Sequence, residues 1–177
     1  MITIKIPATT VWDDNEDAFI DISACEILLE HSLVAMSKWE SKWCIPFLSK
    51  ENKTYEQTID YVKCMTINEI DETVYTCLTD DHLEKINAYI NSPSTATIIR
   101  NNKNSGGKIV TSEVIYFWMV SFKIPFDTEN WHLNRLLTLI EICEIENKPK
   151  NKKSAKQVLT ENAALNQARK KALNTTG

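Results

Sequence analysis

The sequence lacks several features on which common function classes depend. It has only 3 glycines in 177 residues. This scarcity argues against a glycine-rich phosphate loop and against a turn-rich β-sandwich. No apolar run approaches the roughly 18 residues of a membrane span. The N-terminal MITIKIPATT has neither an apolar signal core nor a small-residue cleavage site. We therefore expect no membrane segment and no export.

Paired metal ligands are also missing from the sequence. The five cysteines are scattered without a Cys-x-x-Cys pair, which favours reduced thiols in a cytoplasm over a disulfide framework. The histidines are each alone in their segment, at His31, His82 and His132. Metal ligands usually come in closely spaced pairs, so we predict no metal site. We expect instead partly buried histidines that are hydrogen-bonded to backbone.

Common catalytic motifs are missing from the sequence as well. There is no Gly-x-Ser-x-Gly elbow and no cysteine in a recognised catalytic setting. The carboxylate pairs Asp13-Asp14 and Asp80-Asp81 lie where turns and helix caps favour aspartate. We therefore predict a protein that is not an enzyme, with no catalytic residues and no cofactor.

Charge divides the chain into two parts. Residues 148–177 contain eight Lys or Arg and one Glu, a net charge of +7, whereas residues 1–147 carry −11. This contrast predicts an acidic, mainly helical body over 1–147 and a basic C-terminal arm over 148–177 that is partly helical or flexible. The arm has helix formers but few apolar residues, so an isolated helix there would be marginal.

Two segments near the N-terminus have the period-two pattern of strands. Ile2, Ile4 and Ile6 alternate with polar residues before Pro7. The segment 18–22 alternates again, and we expect it to pair with the first strand as a hairpin.

The segment 23–43 has apolar residues at helical spacing and predicts one long helix that stops before Pro46. Phe47 and Leu48 are expected to fold back onto the body. Trp39 and Trp43 lie one turn apart on the same side of this helix. Two interpretations are open for them: core packing, or a platform that binds a partner.

The remaining helices are predicted from their caps. Thr54 opens a capping box with Gln57, and Thr79 or Asp80 caps the next helix. Thr111 or Ser112 caps a helix that is apolar on most sides, which we expect to be the most buried. Asp127 is expected to cap the last helix of the body, with Phe126 and Trp131 as a hydrophobic staple.

A second β-hairpin is expected near residues 95–110, around the loop NNKNSGG. The predicted fold class is therefore α+β, mainly α. It consists of a compact helical body with a small N-terminal β element, this second hairpin and a basic C-terminal arm.

Five segments give the chain a resemblance to a small tail-module protein family of tailed bacteriophages: ITIKIPA, LLEHSLVAMSKWESKWCIPFL, KTYEQTIDYVKCM, WHLNRLLTLIEIC and NAALNQARKKALNTTG. The resemblance covers nearly the whole chain. It implies a tail assembly chaperone, an acidic helical protein that keeps the tape-measure protein soluble while tail-tube subunits polymerise around it. It implies no catalytic residues.

Three functions are open at this point. The first is the chaperone, acting in the host-cell cytoplasm during phage assembly. The second is a structural virion protein, such as a head–tail connector, tail completion or tail-tip subunit, that forms a homo-oligomer or contacts neighbouring subunits through its arm. The third is DNA binding through the arm, which the acidic body and the absence of aromatics in the arm disfavour. The residues expected to bind partners are Trp39, Trp43, Lys152, Lys153, Arg169, Lys170 and Lys171.

Overall fold

A computed structural model of the chain describes residues 1–13, 17–99, 109–147 and 155–173. Four short strands come first: β1 Ile2–Ile6, β2 Thr9–Asp13, β3 Ala18–Ile22 and β4 Cys25–Leu29. Six α-helices follow: α1 Leu33–Trp43, α2 Tyr55–Met65, α3 Asp80–Ile90, α4 Ser112–Phe122, α5 Leu133–Asn147 and α6 Ala155–Leu173. Two 3₁₀ helices span Glu72–Cys77 and Phe126–Asn130. The predicted α+β, mainly α class is confirmed.

The strands form two separate antiparallel pairs. β1 pairs with β4, with Ile2 opposite Leu29 and Ile6 opposite Cys25. β2 pairs with β3, with Thr9 opposite Ile22. The first and third strands were predicted correctly, but their pairing with each other was wrong. The reason is that β2 was not recognised as a strand, and as the nearest neighbour of β3 in the chain it takes that pairing position.

The first helix begins later than its sequence pattern indicates. Ser32 is its N-cap, with Oγ accepting a hydrogen bond from the Ala35 N–H at 3.2 Å. The prediction that Cys25–Leu29 belongs to this helix was wrong. A short apolar run fits a strand as well as a buried helix. Here β1 pairs with one edge of the run Cys25–Leu29. At the other edge of the run, the Ile67 N–H donates to the Leu28 carbonyl at 3.0 Å.

Two predicted helix starts are confirmed. Thr54 and Gln57 form the capping box of α2, with bonds of 2.9 and 3.2 Å. Thr79 is the N-cap of α3. These starts depend on residues three positions apart, so the sequence alone determines them.

Thr111 is the N-cap of α4, as predicted, whereas the start of α5 was placed wrongly. Residues Phe126–Asn130 form a 3₁₀ helix instead of the first turn of an α-helix. α5 begins only at Leu133, whose N–H donates to the His31 carbonyl at 2.7 Å. Phe126 is exposed, so the predicted staple with Trp131 does not bury it.

The second predicted hairpin has no support in the described residues. Residues 95–99 and 109–111 are not in strands, and residues 100–108 lie outside the described part of the chain. The run of threonine and isoleucine at 95–99 therefore does not form the expected strand, although it has β-branched residues.

One core unites the β1–β4 pair with helices α1 to α5. Its most completely buried side chains come from all of these elements except α3: Ile6, Ile27, Leu29, Leu33, Met36, Trp39, Met65, Ile115, Met119, Leu133 and Leu136. Two helices in this body end at non-glycine residues with left-handed backbone, Cys44 after α1 (φ 54°) and Lys123 after α4 (φ 57°).

The chain divides into two compact units, Met1–Glu144 and Ile145–Gly177. The second contains α6, whose described side chains from Leu159 to Leu173 are all exposed. Within the described residues, none of the helices combines the length and apolar character that a membrane crossing requires.

Candidate functional site

The two tryptophans of α1 are both hydrogen-bonded to residues of α2. Trp39 is 1% exposed, and its Nε1 donates to the Gln57 carbonyl at 2.9 Å. Trp43 is half-buried, and its Nε1 donates to Asp60 Oδ2 at 2.8 Å. Trp39 therefore packs in the core, as the first of the two interpretations of this residue expects.

An exposed apolar surface lies instead on α4. Phe117 is 66% exposed and Val120, one turn later, is 61% exposed. Phe126 is 54% exposed, and its ring lies beside that of Tyr116, with 6.2 Å between centroids. We call Phe117, Val120 and Phe126 the α4 face. The expectation that this helix is the most buried was wrong, because only Ser112, Ile115 and Met119 are buried.

One acidic residue, Glu129, lies beside the α4 face. The Tyr116 hydroxyl donates to Glu129 Oε2 at 2.8 Å. Burial and this carboxylate raise the pKa of Tyr116, so the phenol keeps its proton. The hydrogen bond fixes the Tyr116 ring next to Phe126. The aromatic part of the face is therefore held in place in the absence of any partner.

A buried carboxylate sets the position of α4 on the body. Glu40 of α1 is buried, and its Oε1 accepts from the Phe47 N–H at 2.7 Å. Its Oε2 accepts from the Ser112 N–H, also at 2.7 Å. Ser112 is the first residue of α4, so this bond satisfies one of the unpaired donors that begin every helix. Glu40 thus connects the end of α1, the 47–53 segment and α4.

A cleft of about 1010 Å³ opens between α2, α3 and the segment 47–53. Its aromatic lining includes Phe47, Tyr61 and the buried His31, and Asp80 and Glu84 also line it. His31 Nδ1 and Tyr61 Oη are 2.6 Å apart and hydrogen-bonded.

Burial, together with the neighbouring His132, lowers the pKa of His31 to about 4. Burial also raises the pKa of Tyr61 well above its usual value. Both groups are therefore neutral at pH 7, and neither has the pKa near 7 that suits proton transfer. The pair forms a buried hydrogen bond in the lining of the cleft.

The β2–β3 hairpin presents a second exposed surface. Its inner face carries Val11, Ile20 and Ile22, whereas its outer face carries Trp12 and Phe19. Trp12 is 49% exposed and Phe19 is 73% exposed, and the rings meet edge to face at 4.9 Å. On the same outer face the Thr10 hydroxyl donates to Asp21 Oδ1 at 2.7 Å. We call Trp12, Phe19 and Asp21 the hairpin face.

The predicted basic residues divide between the described and undescribed parts of the arm. Arg169, Lys170 and Lys171 lie at the end of α6 and are exposed. Lys152 and Lys153 lie outside the described residues. The structure therefore brings three of the five basic candidates together on one helical turn.

Both exposed aromatic surfaces were missed by reasoning from sequence. The signal for the α4 face was present, since a helix that is apolar on most sides has more apolar area than one packed side requires. The signal for the hairpin face was the alternation of Trp12 with Val11, which places the two on opposite sides of a strand. Neither signal distinguishes an exposed side from a covered one.

Comparisons of the chain with protein-family models, with curated proteins and with solved structures found no match. In the described part of the chain, no group of three or more His, Cys, Asp and Glu side chains is placed to hold a metal ion.

Proposed function

We propose that this chain is a non-enzymatic bacteriophage morphogenesis protein, a tail assembly chaperone that binds the tape-measure protein in the host-cell cytoplasm. The observation that carries the proposal is the α4 face. A chaperone for a long helical client requires an exposed apolar surface on a body that repels other copies by its charge. The face supplies the first, and the net charge of −11 over residues 1–147 supplies the second.

The chemistry of the face suits an amphipathic helix. Phe117 and Val120 are three residues apart, so they point in the same direction from α4. A client helix would place leucine or valine residues at i, i+3 and i+4 against them. The resemblance to a small tail-module protein family of tailed bacteriophages supplies the identity of that client, and it is the second support for the proposal.

The test is co-expression with the tape-measure protein from the same phage. We expect the native chain to keep that protein in the soluble fraction and to co-purify with it. Phe117→Ser combined with Val120→Ser should abolish both effects. Matched controls are Tyr55→Ser and Ile67→Ser, because these side chains are equally exposed but lie outside α4. Equal loss in the control variants would contradict the assignment of the α4 face.

A second observation favours a structural virion protein as the alternative. Arg169, Lys170 and Lys171 form an exposed basic turn that suits contact with a neighbouring subunit. Mass spectrometry of purified particles separates the two functions. A symmetric, stoichiometric copy number in finished particles would eliminate the chaperone, and complete absence would eliminate the structural subunit.

A further inference from the structure

The hairpin face and α6 carry complementary exposed groups. One stripe along α6 consists of residues at intervals of four, Leu165, Arg169 and Leu173. All three side chains are exposed. The stripe alternates apolar, cationic and apolar groups. The hairpin face offers the matching set, two aromatic rings with the carboxylate of Asp21 beside them.

Charge also distinguishes the two segments from the rest of the chain. Residues 9–22 contain five acidic residues and no Lys or Arg, and the arm from 148 to 177 has a net charge of +7. An arginine or lysine that approaches the hairpin therefore meets carboxylates together with the faces of Trp12 and Phe19. Carboxylates and aromatic rings are the two kinds of group that bind a guanidinium best.

We infer that the Leu165–Arg169–Leu173 stripe binds the hairpin face of a second copy of this chain. Arg169 lies against Asp21 and the ring of Trp12, and the two leucines cover Trp12 and Phe19. Each copy then has one donor arm and one acceptor hairpin. Such a contact joins two different surfaces, so it is compatible with a reciprocal dimer in which arms are exchanged, with a ring or with an open chain.

The inference rests on the second candidate function, in which the arm contacts a neighbouring subunit, and it names the surface that receives the arm. Its test uses the purified chain alone. The self-association test does not depend on which proteins the finished particle contains. Failure of this inference is therefore distinguishable from failure of the structural-subunit function, which mass spectrometry of particles tests.

The experiment is sedimentation equilibrium across a concentration series at low and high salt. We expect the weight-average mass of the native chain to rise with concentration at low salt and to fall as salt is added. Two reversed variants separate the surfaces. The arm-reversed variant carries Arg169→Glu, Lys170→Glu and Lys171→Glu. The hairpin-reversed variant carries Asp17→Lys and Asp21→Lys.

Each reversed variant alone places like charges opposite each other, and its self-association should weaken at least about tenfold. A mixture of the two should associate again, because each arm then meets a hairpin of opposite charge. The control for net charge carries Lys38→Glu, Lys50→Glu and Lys85→Glu, three exposed lysines on the body. It should associate as the native chain does.

A third variant tests the aromatic part of the face. Trp12→Ser with Phe19→Ser should weaken association, whereas Tyr55→Ser should not. Three outcomes would overturn the inference: a native chain that is monomeric at every concentration, association that the arm-reversed variant retains, or a mixture of the reversed variants that stays monomeric. The arm-reversed variant keeps the test decisive if the hairpin variants do not fold, since its substitutions lie outside the unit Met1–Glu144.

Discussion

Helices α1 and α4 have the same length of 11 residues, yet they use their apolar side chains in opposite ways. α1 has six apolar residues, and its buried set includes Trp39, Met36 and Leu33. α4 has eight apolar residues, and it leaves Phe117 and Val120 exposed. The less apolar helix is thus the more buried one.

The difference follows from the neighbours of each helix. α1 contacts both α2 and α4. The ring centroid of its Trp39 lies 5.3 Å from that of Phe47 and 6.5 Å from that of Tyr61. α4 contacts α1, and its Ile115 and Met119 are buried, whereas its Phe117 and Val120 are exposed. The apolar side chains of α4 that the core does not cover therefore form an exposed apolar surface.

The strongest test of this comparison is to remove the buried tryptophan. Trp39→Ala should lower the free energy of unfolding by about 3–5 kcal/mol, because it leaves a cavity among Phe47 and Tyr61. Urea denaturation followed by circular dichroism measures the loss. The matched control is Trp12→Ala, where the side chain is half exposed and we expect about 1 kcal/mol or less. Equal losses at the two sites would contradict the buried placement of Trp39.

The connection between the two helices can be broken at Glu40. Glu40→Ala should cost about 3 kcal/mol, since it leaves the N–H groups of Phe47 and Ser112 buried without an acceptor. Hydrogen exchange should also show faster opening at the first turn of α4. Glu84→Ala is the control, because that carboxylate is exposed on α3. Native exchange rates at α4 in the Glu40 variant would show that the bond does not position the helix.

Acid should lower the free energy of unfolding through the buried His31. His31 has a pKa of about 4 in the folded chain and an ordinary value of 6.5 in the unfolded chain. The unfolded state therefore binds the proton first as pH falls. The stability that neutral His31 contributes is complete above pH 6.5 and is lost between about 6.5 and 4, by up to about 3 kcal/mol.

Unfolding free energies measured from pH 7.5 to 4 test this loss. His31→Asn keeps a polar group near the Tyr61 hydroxyl but removes the titration, so its stability should change less over the same range. A variant curve parallel to that of the native chain would assign the acid sensitivity to another group.

The smallest expected effect is on the α4 face itself. Phe117→Ala should change the free energy of unfolding by less than about 0.5 kcal/mol, because its ring is mainly in solvent. Ile115→Ala, two residues earlier on the same helix, should cost about 2–5 kcal/mol. Thermal denaturation of the pair measures the contrast. A large loss at Phe117 would mean that the residue belongs to the core.

Local signals in the sequence were enough for the helix starts but not for the strand pairing. The cap at Thr54 requires only Gln57 three residues later, and the burial of Trp39 follows from its place on an apolar stripe. The pairing of β1 with β4 instead joins Ile2 to Leu29, and the apolar run in β4 has the same spacing as the helix that follows it. Choosing between strand and helix there requires knowledge of a partner that is distant along the chain.

The candidate surfaces were harder to predict for a related reason. The apolar pattern of α4 gives the number of its apolar side chains. Which of them face the core depends on contacts with residues distant along the chain, such as the hydrogen bond from the Ser112 N–H to Glu40. The basic turn at Arg169, Lys170 and Lys171 was visible directly, because charge and helix propensity are local properties.

The left-handed residues that end α1 and α4 have a consequence for mutational tolerance. Cys44 and Lys123 occupy a backbone region that costs a non-glycine residue roughly 1–2 kcal/mol, and glycine would adopt it with little strain. Cys44→Gly and Lys123→Gly should therefore each stabilise the chain by about 1 kcal/mol. Either substitution would add stability that offsets the cost of later sequence changes on the exposed surfaces.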